Sequence, residues 1–80
     1  MMSPAAIELA RCGITGQSLA DELGLTRAAV SYQLCGLSAA TSPALLDAIE
    51  ARVGRARTLD IDRLIDEERA RRRGAARAEA

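Results

Sequence analysis

The sequence predicts an all-α fold, a compact bundle of four to five short helices, and three observations carry that expectation. Hydrophobic residues make up 49% of the chain, yet Tyr32 is the only aromatic, so the core is thin and aliphatic and suits helices better than strands. Gly13, Gly24, Gly36, Gly54 and Gly74 each follow a run of helical apolar spacing, where glycine ends a helix at least conformational cost. Side chains able to cap a helix N-terminus stand where those runs begin.

Taken in order, Ser3-Pro4 supplies a cap and a proline whose missing N–H costs nothing at the first helical position. It predicts a helix over 4–12 with Ala6, Ile7 and Ala10 facing inward. Thr15 caps a helix over 16–23 that buries Leu19, Ala20 and Leu23, and Thr26 caps one over 27–35 that buries Val30 and Leu34. Ser42-Pro43 repeats the first start and predicts 43–53, with Leu45, Leu46, Ile49 and Val53 inward. Leu25 and Leu37 complete the core from the connections. Asp60, with Leu59 and Leu64 as a hydrophobic staple, starts a last helix over 61–73.

The last helix differs in kind. Ile61, Leu64 and Ile65 form one apolar patch, after which DEERARRR carries nothing large to bury. Acids at its start and arginines at its end suit the helix dipole and permit pairs such as Glu67 with Arg71 and Glu68 with Arg72. The patch either covers the domain's own core or pairs with its copy in a second chain. We take it as a dimerisation element, which divides the chain into residues 1–57, a charged helix at 58–73 and a flexible tail at 74–80.

Several function classes are set aside at this stage. No stretch of about 18 apolar residues exists to span a membrane, and no secretion signal opens the chain, so a cytoplasmic protein is expected. Cys12 and Cys35, without a histidine, do not complete a structural zinc site and read as reduced thiols. With no histidine, no nucleophile beside a base and no phosphate loop, we expect neither an enzyme nor a cofactor. All eleven basic residues are arginine and the formal net charge is zero. Residues 1–54 hold three arginines against five acids, and residues 55–80 hold eight against six, giving −2 and +2.

The stretch LADELGLTRAAVSYQLCG, residues 19–36, has the spacing of a helix-turn-helix: a helix ending at Gly24, a three-residue turn, and a second helix after Thr26. Gly13-Ile14-Thr15, Gln17, Leu19-Ala20, Leu23-Gly24-Leu25-Thr26, Val30-Ser31, Leu34 and Gly36, followed by Pro43 and the Leu45-Leu46-Ile49 helix, resemble the Cro and lambda-repressor type of helix-turn-helix domain, the xenobiotic-response-element-like family. The resemblance covers roughly residues 4–54. It departs at Gly16, where the family commonly has glutamine, and at Cys35, where it often has a polar residue.

The resemblance implies a DNA-binding bundle whose third helix enters the major groove. That helix would then present Arg27, Ala28, Ser31 and Tyr32 to the bases, with Gln33 at the edge. Arg27 suits the O6 and N7 acceptors of guanine, Ala28 a thymine methyl, and the others hydrogen bonds to base, sugar or phosphate. Each has a plainer alternative: Arg27 paired with Asp21 or Glu22, Tyr32 packed on the fourth helix or a partner subunit, Gln33 merely solvated. Near neutrality argues for binding through geometry, with the N-termini of the second and fourth helices aimed at phosphates, aided by Thr15, Gln17, Ser18, Thr26, Ser38, Thr41 and Ser42.

The expectation is therefore a bacterial or phage-type transcriptional regulator, a repressor that binds double-stranded DNA at an inverted repeat. A homodimer through Ile61, Leu64 and Ile65 would space its recognition helices about one DNA turn, near 34 Å, apart. The alternative is an antitoxin or other interaction module whose helix at 58–73 binds a partner protein.

Overall fold

The computed structural model describes residues 3–79, and the side chains of residues 3–75. Five helices follow one another: α1 Pro4–Arg11, α2 Gly16–Leu23, α3 Arg27–Leu34, α4 Pro43–Val53 and α5 Arg55–Glu79. The first four begin at the expected caps. Ser3, Thr15, Thr26 and Ser42 each accept, through the hydroxyl, the N–H three residues on. Ser3 does more, since its buried hydroxyl also donates to the Leu34 carbonyl at 3.2 Å and ties the start of α1 to the end of α3.

Against the expected inward face of α1, the structure buries Ala5 and Leu9, together with Ile14, while Ile7 is 43% exposed and Ala10 lies at the surface. Alanine and aliphatic residues occur on both sides of this helix, so its own periodicity does not choose between them. The Ser3 bond to Leu34 and the reach of Arg57 to Glu8, at 3.2 Å, hold the roll that is observed. Leu25 and Leu37 are also largely exposed. Leu19, Ala20, Val30, Leu34, Leu45 and Ile49 are buried as expected.

The fifth helix corrects three expectations. It begins at Arg55, where the Thr58 N–H bonds the Gly54 carbonyl at 3.1 Å and the Thr58 hydroxyl bonds it at 2.7 Å. Asp60 is therefore no cap but lies within the helix, where it pairs with Arg63, and Leu59 is 58% exposed and staples nothing. Nor does Gly74 stop the helix, whose backbone continues to Glu79; the expected tail at 74–80 is helical throughout its described part, and Ala80 lies outside the described residues. Glycine inside a helix costs about 1 kcal/mol, which the flanking arginines and alanines, good helix formers, tolerate. At about 1.5 Å per residue these 25 residues span about 37 Å, close to the 39 Å long axis of the molecule.

Ile61 and Ile65 are 0% exposed within one chain, and Leu64 is partly buried against the same core. The dimerisation assignment of this patch is thus overturned for the two isoleucines: α5 packs on α1 and α4, and its apolar side is used inside the molecule. The apolar side chains Ile61, Leu64 and Ile65 are accordingly part of the same core as residues 1–57. No described helix is long and apolar enough to cross a membrane.

Gly36 fixes how α5 lies against the rest. Its φ is +71°, and a Cβ built there would sit 2.7 Å from the Arg69 nitrogen and 3.1 Å from both the Arg69 Cα and the Ile65 carbonyl oxygen. Gly24, in the α2–α3 turn, has φ +67° but open space around it. Gly24→Ala is expected to cost about 1–2 kcal/mol for the left-handed conformation alone. Gly36→Ala adds a backbone clash worth about 1–3 kcal/mol more. Chemical denaturation of the two variants checks the order.

Candidate nucleic-acid interface

The helix-turn-helix is built by local rules. Gly24 ends α2 in a left-handed cap, the Leu25 N–H returns to the Ala20 carbonyl at 2.9 Å, and the Thr26 hydroxyl accepts the Ala29 N–H at 3.1 Å to start α3. Leu19, Ala20, Val30 and Leu34 lock the two helices together and turn the opposite side of α3 outward. That side carries Arg27, Ala28, Ser31 and Tyr32, all exposed.

The plainer alternative for Arg27, pairing with Asp21 or Glu22, finds no contact to rest on. Asp21 accepts a hydrogen bond from Gln17 Nε2 at 2.8 Å and Glu22 pairs with Arg52 at 3.6 Å, so neither takes Arg27, which has no ion pair among the described residues. Tyr32 is 53% exposed and borders a groove with Ser42 and Pro43 at the start of α4. Ser31 lies 4.0 Å from the Cys35 sulfur, a weak contact along the helix.

Gln33 is different. Its Oε1 accepts the Ser42 N–H at 2.8 Å, so this side chain ties the end of α3 to the start of α4. Its place at the edge of the base-reading face is corrected to a structural one: the free N–H at the α4 N-terminus needs an acceptor, and Gln33 is within reach.

Two grooves flank the outward face. Thr26, Ala28, Tyr32, Gln33, Ser38, Thr41 and Ser42 line one of them, which brings seven of the residues expected to meet DNA to a single surface between α3 and the α3–α4 loop. Arg27, Ser31 and Thr15 border the other, a cleft of about 240 Å³ that Ala6, Ala10 and Gly16 leave open. Gly16 is not demanded by packing, because a Cβ there would meet nothing within 4 Å. Of the remaining expected backbone contacts, Gln17 is engaged with Asp21. The Ser18 hydroxyl donates to the Thr15 carbonyl at 2.8 Å and accepts from Arg52 at 3.2 Å, which turns it toward α4.

The residues that sequence reading missed lie on α5. Arg69, whose side chain is only 12% exposed, donates from Nε to the Ser38 carbonyl at 2.9 Å and from Nη2 to the Thr41 hydroxyl at 3.0 Å. Arg72 donates from Nε to the Cys35 carbonyl at 2.8 Å. Both arginines thus hold the loop that follows α3, and Arg72 adds a cation where the α3 dipole is negative. The run of arginines was visible, but its reach to a loop about thirty residues earlier was not. The charge of this end of the molecule is consequently more positive than residues 1–54 alone imply.

Elsewhere on α5, partial burial, reinforced by the neighbouring Asp66 carboxylate and opposed by the Arg69 guanidinium, raises the Asp62 carboxyl above its ordinary value of 3.8. A raised folded-state pKa means that the charged form costs stability at neutral pH, and that this cost disappears as pH falls through the raised value toward 3.8. Asp62→Asn is therefore expected to raise the melting temperature at pH 7, with the gain over the wild type vanishing below pH 3.8; thermal unfolding across pH measures it. Arg69→Lys keeps the charge but not the planar fork that reaches Ser38 and Thr41 together. It is expected to lose about 1–2 kcal/mol in denaturant unfolding while the far-ultraviolet helical signal is kept.

A scan against protein-family models finds no family that matches the chain, and searches of curated proteins and of solved structures likewise find no match.

Proposed function

We propose that this chain is a cytoplasmic, sequence-specific DNA-binding transcriptional regulator of the helix-turn-helix class, a repressor that places α3 in the major groove of an inverted-repeat operator. The observation that carries the reading is the outward face of α3: Arg27, Ala28, Ser31 and Tyr32 are exposed beside a turn whose geometry fits the motif, and Arg27 has no intramolecular ion pair among the described residues. A guanidinium kept free of carboxylates in a molecule with abundant acids is available to the paired acceptors of a guanine edge. In this reading the protein needs no catalytic group and no cofactor, and acts by occupying DNA.

A homodimer remains part of the proposal because few ionic contacts give a weak monomer. With Ile61 and Ile65 enclosed, a twofold contact would have to use other apolar surface, such as the α4–α5 face around the exposed Leu59 and the half-buried Leu46. The alternative, a module that binds a protein through residues 58–73, has to work without those two isoleucines, which leaves Leu59 as the one exposed large apolar side chain in that segment.

Selection of bound sites from random duplexes tests the reading directly. A half-site sequence should emerge, and Arg27→Ala and Tyr32→Ala should each relax it. For Arg27 the expected loss is about 1–3 kcal/mol of discrimination at one base pair. Unchanged sequence preference in both variants would rule out this placement of α3.

A further inference from the structure

Beside the loop that follows α3 lies a groove lined by Gly36, Leu37, Ser38, Ala39, Arg69, Arg72 and Arg73, with three guanidinium groups and no carboxylate among its walls. The arginines are not equivalent. Arg69 is spent on the Ser38 carbonyl and Thr41 and pairs with Asp66. Arg72 is anchored by Nε on the Cys35 carbonyl and is only 3.9 Å from Glu68, while half of its side chain faces solvent. Arg73 is exposed and has no ion pair among the described residues. Ser38 lines both this groove and the one beside Tyr32, so the two surfaces are continuous.

We propose that this groove is a binding site for the phosphodiester backbone of duplex DNA, with Arg72 and Arg73 as its charged contacts. The inference rests on the DNA-binding reading above and adds to it an α5 contact that the helix-turn-helix itself does not supply. Charge complementarity selects the occupant: Arg72 is fixed at Nε on the Cys35 carbonyl and turns Nη2 toward Glu68, which leaves Nη1 without a partner among the described residues and suited to a phosphate oxygen, and the Arg73 guanidinium lines the same groove. The fold thereby brings the arginine-rich end of a neutral chain beside the groove that Ala28 and Tyr32 border.

The test is fluorescence anisotropy of the full chain on a duplex over a range of salt concentrations. Each phosphate contact contributes about 0.9 to the slope of log affinity against log salt. Arg73→Ala should lower that slope by about one and weaken binding evenly across sequences, and Arg72→Gln should do the same. Arg71→Ala is the comparator, since it removes an equal charge one residue away from a side chain that pairs with Glu68 at 2.8 Å and lies outside the groove; its slope should stay at the wild-type value. Arg73 holds no intramolecular partner among the described residues, so its variant keeps the fold, which circular dichroism verifies. Duplex binding with an unchanged slope in Arg73→Ala, an equal loss in Arg71→Ala, or a loss seen only on a matched RNA duplex would each overturn the site while leaving the DNA-binding reading in place. Failure of the wild type to bind any DNA duplex would overturn both.

Discussion

The backbone of Gly36 lies against the backbone of α5 so closely that a methyl group does not fit between them, and the arrangement of the molecule depends on that approach. It lets Ile61 and Ile65 reach the core from one side, and it sets the loop after α3 where Arg69 and Arg72 can hold it from the other. Apolar burial and charged hydrogen bonds thus act on the same junction. With only short aliphatic side chains to bury, a chain of this size has little core to spare, and a fifth helix packed on α1 and α4 supplies a large share of it.

The outward face of α3 follows from this packing. Val30 and Leu34 are fixed in the core, Gln33 is bound to the start of α4, and what remains on the far side is Arg27, Ala28, Ser31 and Tyr32. A surface made this way is positioned by its surroundings on three sides: α2 through the Gly24 turn, α4 through Gln33, and α5 through the loop. Such preorganisation matters for a surface with few charges, because it limits the entropy lost when side chains are ordered on a partner.

Charge is where the fold alters the meaning of the sequence most. Read along the chain, the negative half carries the helix-turn-helix and the positive half follows it. In three dimensions the two are interleaved, and the arginines of α5 border the same surface as the hydroxyls of the α3–α4 loop. Many acids are occupied locally: Glu8 by Arg11 and Arg57, Glu22 by Arg52, Asp66 by Arg69, Glu68 by Arg71. These pairs are mostly exposed and contribute little stability individually, but they decide which cations are left over.

What the sequence determined by itself was everything encoded within a turn or two of helix: the starts at Ser3, Thr15, Thr26 and Ser42, the stops at Gly13, Gly24 and Gly36, and the register that buries Leu19, Ala20, Val30 and Leu34 while exposing Arg27 and Tyr32. A cap bonds a group three residues away, so local spacing suffices to find it. Tertiary structure decided what local spacing leaves degenerate. Alanine on both sides of α1 left its roll open until Ser3 met Leu34, and the first turn of α5 formed before Asp60 because Thr58 bonds back to Gly54. Ile61 and Ile65 had an apolar patch's usual two destinations, and the close approach at Gly36 sent them inward. That approach joins residues about thirty positions apart, and nothing in the spacing of either segment records it.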